Sequence, residues 1–183
     1  MRTAFFGGSF NPPHIGHFLA AAWVLCSGEV EEVWMVPCYK HAFGKALLSY
    51  EHRLAMCRLG AEPLNPERVR ISTIEEEMGG VSYTVETLRA LHERYPERSF
   101  RLLVGNDILQ ETDAWKDFEV VKQLAPLLVV PRGGWQETLP SIPTVSSSEI
   151  RERIQRKQSL EGFVPKPLVE YLEQHQLLDF WQS

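Results

Sequence analysis

The sequence predicts an α/β protein: a doubly wound parallel sheet with helices on both faces and a small helical part at the C-terminal end. Three observations carry that expectation. Short apolar runs alternate with segments of helical period, the order that produces crossovers between parallel strands. The strand candidates are apolar throughout, as strands covered on both faces are. Glycine, proline or a polar loop follows most of them, at the carboxyl ends where such sheets bind ligands.

Thr3 to Phe6 reads as a buried strand ending at Gly7-Gly8. Ile15 to Cys26 follows as a helix with Ile15, Leu19, Trp23 and Cys26 on one face. Val33 to Val36 is a second strand, stopped by Pro37. Cys38 to Ser49 is a loop, and Tyr50 to Ala61 a helix. Val69 to Ser72 is a third strand. Glu75-Glu76-Glu77 reads as solvated surface, and Gly79-Gly80 breaks the chain. Thr84 to Tyr95 is a helix with Val85, Leu88 and Leu91 inward. Ser99 to Val104 is a strand stopped by Gly105. Trp115 to Leu124 reads as helix and Leu127 to Val130 as strand. Ser146 to Lys157 and Pro167 to Gln174 close the chain as helices. Residues 1–183 are expected to form one domain, with the helical part from about residue 146 onward.

Composition narrows the class. Hydrophobic residues make up 44% and charged residues 23%, which excludes a disordered chain, a collagen-like repeat and a coiled coil. The formal charge of −5 argues against a general nucleic-acid coat but leaves room for a local basic site. The odd cysteine set Cys26, Cys38 and Cys57 has no CxxC spacing, so reduced thiols and a cytoplasmic protein are expected. The opening apolar run is too short for a signal peptide, and no window suits a membrane helix.

Two segments carry chemistry. Gly7-Gly8-Ser9-Phe10-Asn11-Pro12-Pro13-His14-Ile15-Gly16-His17 joins a strand to a helix. The glycines let a ligand approach the backbone, and Gly16 is expected to leave open space beside the histidines. Pro12 and Pro13 hold their predecessors extended, so the helix starts just beyond them. His14 and His17 share the first turn, where free N–H groups and the dipole favour phosphate. The pair alone could simply cap a helix; its setting after a strand and a Gly-Gly turn favours the phosphate reading. A metal reading is weaker, since no third ligand is evident at matching spacing. GxGxxG and GxxxxGK[ST] are both absent. The second segment is Ser146-Ser147-Ser148-Glu149-Ile150-Arg151. Ser146 to Glu149 fits a capping box. Ser147, Ser148 and Arg151 then lie around a second helix N-terminus suited to phosphate.

With these motifs on the page, the chain resembles the HxGH nucleotidyltransferase superfamily, and more closely its bacterial nicotinate-nucleotide adenylyltransferase family. Ser82-Tyr83-Thr84, Gly105-Asn106-Asp107 with Trp115-Lys116, and Val129-Val130-Pro131-Arg132 are similar to further segments of that family, in order along almost the whole chain. The resemblance implies a Rossmann-like fold and transfer of AMP from ATP to nicotinate mononucleotide, giving deamido-NAD and pyrophosphate, with Mg²⁺ assisting. It implies catalytic roles for His14, His17 and Arg151. It places Gly7, Gly8, Ser9, Phe10, Gly105, Asp107, Arg132, Ser147 and Ser148 around ATP. It maps Thr84 and Trp115 to the nicotinate ring and Lys40 or Lys45 to the mononucleotide phosphate. Asn11 stands where the family often has Asp, and the Asn form occurs in relatives that accept nicotinamide mononucleotide, so both acceptors stay open. Phosphopantetheine adenylyltransferase, a cytidylyltransferase, a nucleotide-binding regulator and an RNA-binding fragment related to HxGH-bearing synthetases are the competing readings. The resemblance implies no nucleic-acid or membrane partner; a homo-oligomer stays open.

Overall fold

The computed structural model describes residues 1–42, 44–106, 115–130 and 144–181. Among them five parallel strands form one sheet: β1 (Arg2–Gly8), β2 (Glu32–Pro37), β3 (Val69–Ile71), β4 (Ser99–Gly105) and β5 (Leu127–Val130), in the order β3-β2-β1-β4-β5. The chain winds outward from β1 to β3, then crosses back to β4 on the other side of β1. That reversal is a topological switch point.

Alternation along the strands feeds two cores. Ala4, Phe6, Val33, Met35 and Leu103 point to one face, and Phe5, Trp34, Val36, Leu102 and Val104 to the other. The first face is covered by α1 (Ile15–Cys26), α2 (Tyr50–Ala61), α6 (Ser147–Gln155), α7 (Lys166–Gln174) and a 3₁₀ turn at Leu177–Trp181. The second is covered by α3 (Ile74–Met78), α4 (Thr84–Arg94) and α5 (Phe118–Leu124). The central strands β1 and β2 are therefore covered on both sides and largely apolar, while the edge strand β3 exposes Arg70.

Four expectations change. The buried stripe of α1 is Phe18, Ala20, Ala21 and Val24, while Ile15, Leu19 and Trp23 are only partly buried and Cys26 is exposed. The small alanines bring α1 close to the sheet, and the bulkier residues fill its flank. Close packing extends to α2: a Cβ on Gly60 would overlap the ring of Phe18. The acidic run belongs to α3, whose first turn turns Glu75 inward, so that residue is buried rather than solvated. Trp115 precedes α5, which begins at Phe118 after Asp117 in a left-handed conformation. The capping box is half made: Ser146 Oγ accepts from the Glu149 N–H, but the Glu149 carboxylate turns to Arg153.

Candidate functional site

The sheet opens at its carboxyl end. β1 and β4 pair from Arg2 with Ser99 to Phe5 with Leu102 and no further, while β1 stays paired with β2 to Gly8 and β4 with β5 to Gly105. A cavity of about 670 Å³ enters this split, lined by Phe5 to Phe10 on one side and Leu102 to Gly105 on the other. His14, His17, Cys38, His41, Ala42, Lys45, Glu75, Ser82, Tyr83, Thr84, Trp115, Lys116, Ser146 and Ser147 complete its wall.

One wall is local and tightly packed. The His14 and His17 rings stack at 3.7 Å between centroids. The His14 N–H donates to His17 Nδ1 at 3.1 Å, which puts the proton of neutral His17 on Nε2. Phe10 meets the His17 ring edge-on at 4.9 Å and Phe6 at 5.6 Å. It does so from a left-handed backbone, with φ of 45°. The neighbouring glycines make room for these rings: a Cβ on Gly7 would lie 2.9 Å from Phe5, and one on Gly8 3.2 Å from Phe10. Gly16 leaves no open space. A Cβ there would lie 3.1 Å from the His14 ring, a tight contact, and 3.6 Å from the Val145 carbonyl, an ordinary one, so the space beside the histidines is already filled.

Bonds from α6 lock the loop ahead of α1. Ser147 Oγ donates to the Pro12 carbonyl at 2.9 Å, and Arg151 donates to the Asn11 carbonyl and to Ser148 Oγ, each at 2.9 Å. Burial lowers the Arg151 pKa from its ordinary value. The Asn11 side chain is 2% exposed and accepts from the Leu48 N–H at 3.0 Å, tying this loop to the segment before α2. Farther on, the Ile15 N–H donates to the Phe163 carbonyl at 2.9 Å.

The opposite wall is assembled from distant segments. Glu75, 7% exposed, accepts from the Tyr39 N–H at 3.1 Å and from Thr87 Oγ1 at 2.9 Å. Burial pushes its carboxyl above the usual range, against the pull of Ser82, Thr87, Tyr39 and the Arg53 charge. Ser82 Oγ accepts from the N–H groups of Tyr39 and Lys40. Thr84 opens α4 as its first helical residue, with Tyr83 as the cap, so its N–H is one of the orphan donors of a helix start. Trp115 packs edge-on against Phe118 at 5.7 Å and leaves part of its ring on the cavity. Lys116 pairs with Glu86 and lies over the Tyr83 ring at 4.9 Å. Burial, then Lys45 and Arg53, lowers the His41 pKa.

The cavity thus brings together Gly7, Gly8, Ser9, Phe10, His14, His17, Lys45, Thr84, Gly105, Trp115 and Ser147. Ser148 and Arg151 are not among the lining residues and are bonded to each other. Lys40 is exposed and outside the wall, its Nζ 5.8 Å from the Tyr39 ring centroid. Asp107 and Arg132 lie outside the described residues. The sequence reading missed Glu75, Ser82, His41 and Lys116 as wall residues. Ser82 and Lys116 adjoin motifs already singled out; Glu75 and His41 carry no local pattern at all.

A sequence model of the cytidylyltransferase-like family matches residues 5–153, which spans both helix N-termini of the cavity. The chain belongs to that family. Within the cytidylyltransferase-like family it groups with the nicotinate-nucleotide adenylyltransferases. A protein of Anaeromyxobacter dehalogenans (strain 2CP-C) named probable nicotinate-nucleotide adenylyltransferase is 42% identical over 181 residues, covering 96% of each chain. One of the same name from Myxococcus xanthus (strain DK1622) is 39% identical, covering 97% of this chain and 94% of the relative. The fold is shared with Plasmodium falciparum nicotinic acid mononucleotide adenylyltransferase complexed with NaAD, at a TM-score of 0.83, 20% identity and 98% coverage of both chains. This cytidylyltransferase-like chain therefore has the α/β Rossmann-like nucleotidyltransferase fold.

Proposed function

We propose that the protein transfers the adenylyl group of ATP to nicotinate mononucleotide, releasing pyrophosphate and deamido-NAD, as a step of NAD biosynthesis. The observation that carries this reading is one cavity that holds the α1 and α6 N-termini on one side and Thr84 with Trp115 on the other. The whole-length similarity to nicotinate-nucleotide adenylyltransferases supports the same choice of substrates.

The chemistry is a direct displacement. A phosphate oxygen of the mononucleotide forms a bond to the α-phosphorus of ATP while the bond to the pyrophosphate oxygen breaks. The protein supplies position and charge. His17 presents Nε2–H to the phosphoryl oxygens, because its Nδ1 is occupied by the His14 N–H. His14 backs that ring through the stack. Arg151 uses two nitrogens on Asn11 and Ser148 and has further N–H donors for the triphosphate. Ser147 spends its hydroxyl on Pro12, so its contribution to phosphate is the backbone N–H at the α6 start. Gly7, Gly8 and Ser9 run along the nucleotide, with Phe10 setting the His17 ring behind them. Gly105 flanks the adenosine.

On the acceptor side Trp115 stacks on the pyridine ring and the Thr84 N–H receives the carboxylate. Lys45, on the cavity wall, meets the mononucleotide phosphate in preference to Lys40. ATP is used with a divalent metal, which we take to be Mg²⁺. Among the described residues no three His, Cys, Asp or Glu converge as a cage. Among the described residues no helix is long and apolar enough to cross a membrane.

Pyrophosphate release with MgATP tests the reading. Nicotinate mononucleotide should be preferred over nicotinamide mononucleotide, and phosphopantetheine should be inert. A preference for the amide would keep the chemistry and reassign the acceptor; no release with any of the three would refute the proposal.

A further inference from the structure

Beside the cavity lie two buried groups of opposite charge, Arg53 behind the wall and Glu75 within it, that the transfer chemistry does not use. Arg53, on α2, is 1% exposed. Its guanidinium donates to four carbonyls: Leu48 at 3.0 Å, Ser9 at 3.0 Å, Cys38 at 2.8 Å and Tyr39 at 3.3 Å. Glu75 reaches the same short segment from α3, taking the Tyr39 N–H at 3.1 Å. The peptide groups of Cys38 and Tyr39 are thus gripped on their carbonyl side by a cation and on an N–H by an anion. Arg53 fastens the same segment to Ser9 in the loop ahead of α1.

A buried unpaired charge is costly, and a carboxylate beside a cavity for two phosphate-bearing substrates also works against their binding. Stability gives no reason for Glu75 to be ionised there. Geometry does: a carboxylate can accept from several donors at once, and a guanidinium can span several carbonyls in one plane. Single neutral side chains of similar size cannot hold both ends of this segment.

We propose that Arg53 and Glu75 are positioning residues that fix the loop after β2, which carries Lys40, His41 and Lys45, against the Ser9 loop. They thereby set the approach of the acceptor phosphate to the α-phosphorus. Resting on the adenylyl-transfer reading, this assigns the pair a role in kcat rather than in binding either substrate. Arg53 does not reach the cavity surface, and the Glu75 carboxylate spends its acceptors on protein donors.

The test compares wild type, Glu75→Gln and Arg53→Lys in steady-state kinetics with MgATP and nicotinate mononucleotide, alongside thermal melting. Glu75→Gln keeps shape and loses charge, so it can accept from fewer donors. It should lower kcat by about 10- to 100-fold, the cost of a misplacement on the order of 1 Å, with the KM for ATP held within about twofold. Its Tm should hold or rise at neutral pH, because burial disfavours the ionised carboxyl. Arg53→Lys should lower kcat in the same way, since one ammonium cannot span Ser9, Cys38, Tyr39 and Leu48 together. Unchanged kcat in Glu75→Gln, or a fall in its activity that merely follows a fall in Tm, overturns the proposal. So does a rise in KM with kcat intact. If wild type turns over neither mononucleotide, the adenylyl-transfer reading falls first and this one with it; if wild type is active and the variants match it, only the positioning role falls.

Discussion

The two walls of the cavity are built by opposite means. The wall from Gly7 to His17 is a single stretch of chain, stiffened by aromatic rings and by glycines that admit them. The facing wall draws on the loop after β2, α3, the start of α4 and Trp115, with Arg53 and Glu75 bonded to the loop and Glu75 also to Thr87 on α4. On the proposed reading the first offers phosphate a histidine and one helix start, a need common to every nucleoside triphosphate. On the same reading the second recognises one acceptor. Local sequence suffices for the general task, whereas the particular one depends on tertiary assembly.

Breaking each wall in turn should show this division. The largest effect is expected from His17→Ala, which removes the Nε2–H donor. Turnover should fall about 10²- to 10³-fold, with little change in Tm, as when one oxyanion donor is lost; a stopped assay for pyrophosphate and a melting curve decide it. Near-normal turnover would detach the histidine from the reacting phosphate. Next in size is Arg151→Ala. Losing a charge-assisted contact should raise the KM for ATP roughly tenfold or more and leave that for the mononucleotide nearly unchanged. An equal rise in both would mean that Arg151 serves only to brace Asn11.

Trp115→Ala probes the facing wall. Stacking is worth about 1–3 kcal/mol per base, so the mononucleotide KM should rise on the order of tenfold while the ATP KM stays put. Equal effects on the two substrates would remove the ring from the acceptor. The smallest change is expected from Ser146→Ala, which deletes the α6 cap. It should cost about 1 kcal/mol of stability, seen in denaturant titration, with only a small effect on turnover. A large loss of activity there would show that the α6 start must be held more tightly than its cap alone suggests.

The fold was largely legible. α1 and α2 begin and end where the apolar period and the flanking residues place them, and β5 matches its apolar run. What local reading missed lies in direction and in distance. Periodicity groups Ile15, Leu19 and Trp23 on one face, but which face goes inward is decided by the close approach of Phe18 to Gly60. Gly16 looked like room for a ligand because sequence does not reveal that the His14 ring comes so near. Glu75 sits in a run of three acids, and only the packing of α3 against α4 and the loop after β2 separates it from Glu76 and Glu77. For the site, a contiguous motif singled out His14 and His17, and the family resemblance singled out Thr84 and Trp115; all four line the cavity. Arg53 has no signature, because its partners are carbonyls, which every residue carries.

The bond from the Ile15 N–H to the Phe163 carbonyl ties the earliest helix to one of the last stretches of chain. A ribosome makes α1 long before it reaches α6 or residue 163, at about 5–20 residues per second. Until α6 emerges, the chain therefore carries its histidine pair without the serine and arginine brace that locks Asn11 and Pro12. The order of manufacture thus withholds the braced loop until α6 has been made.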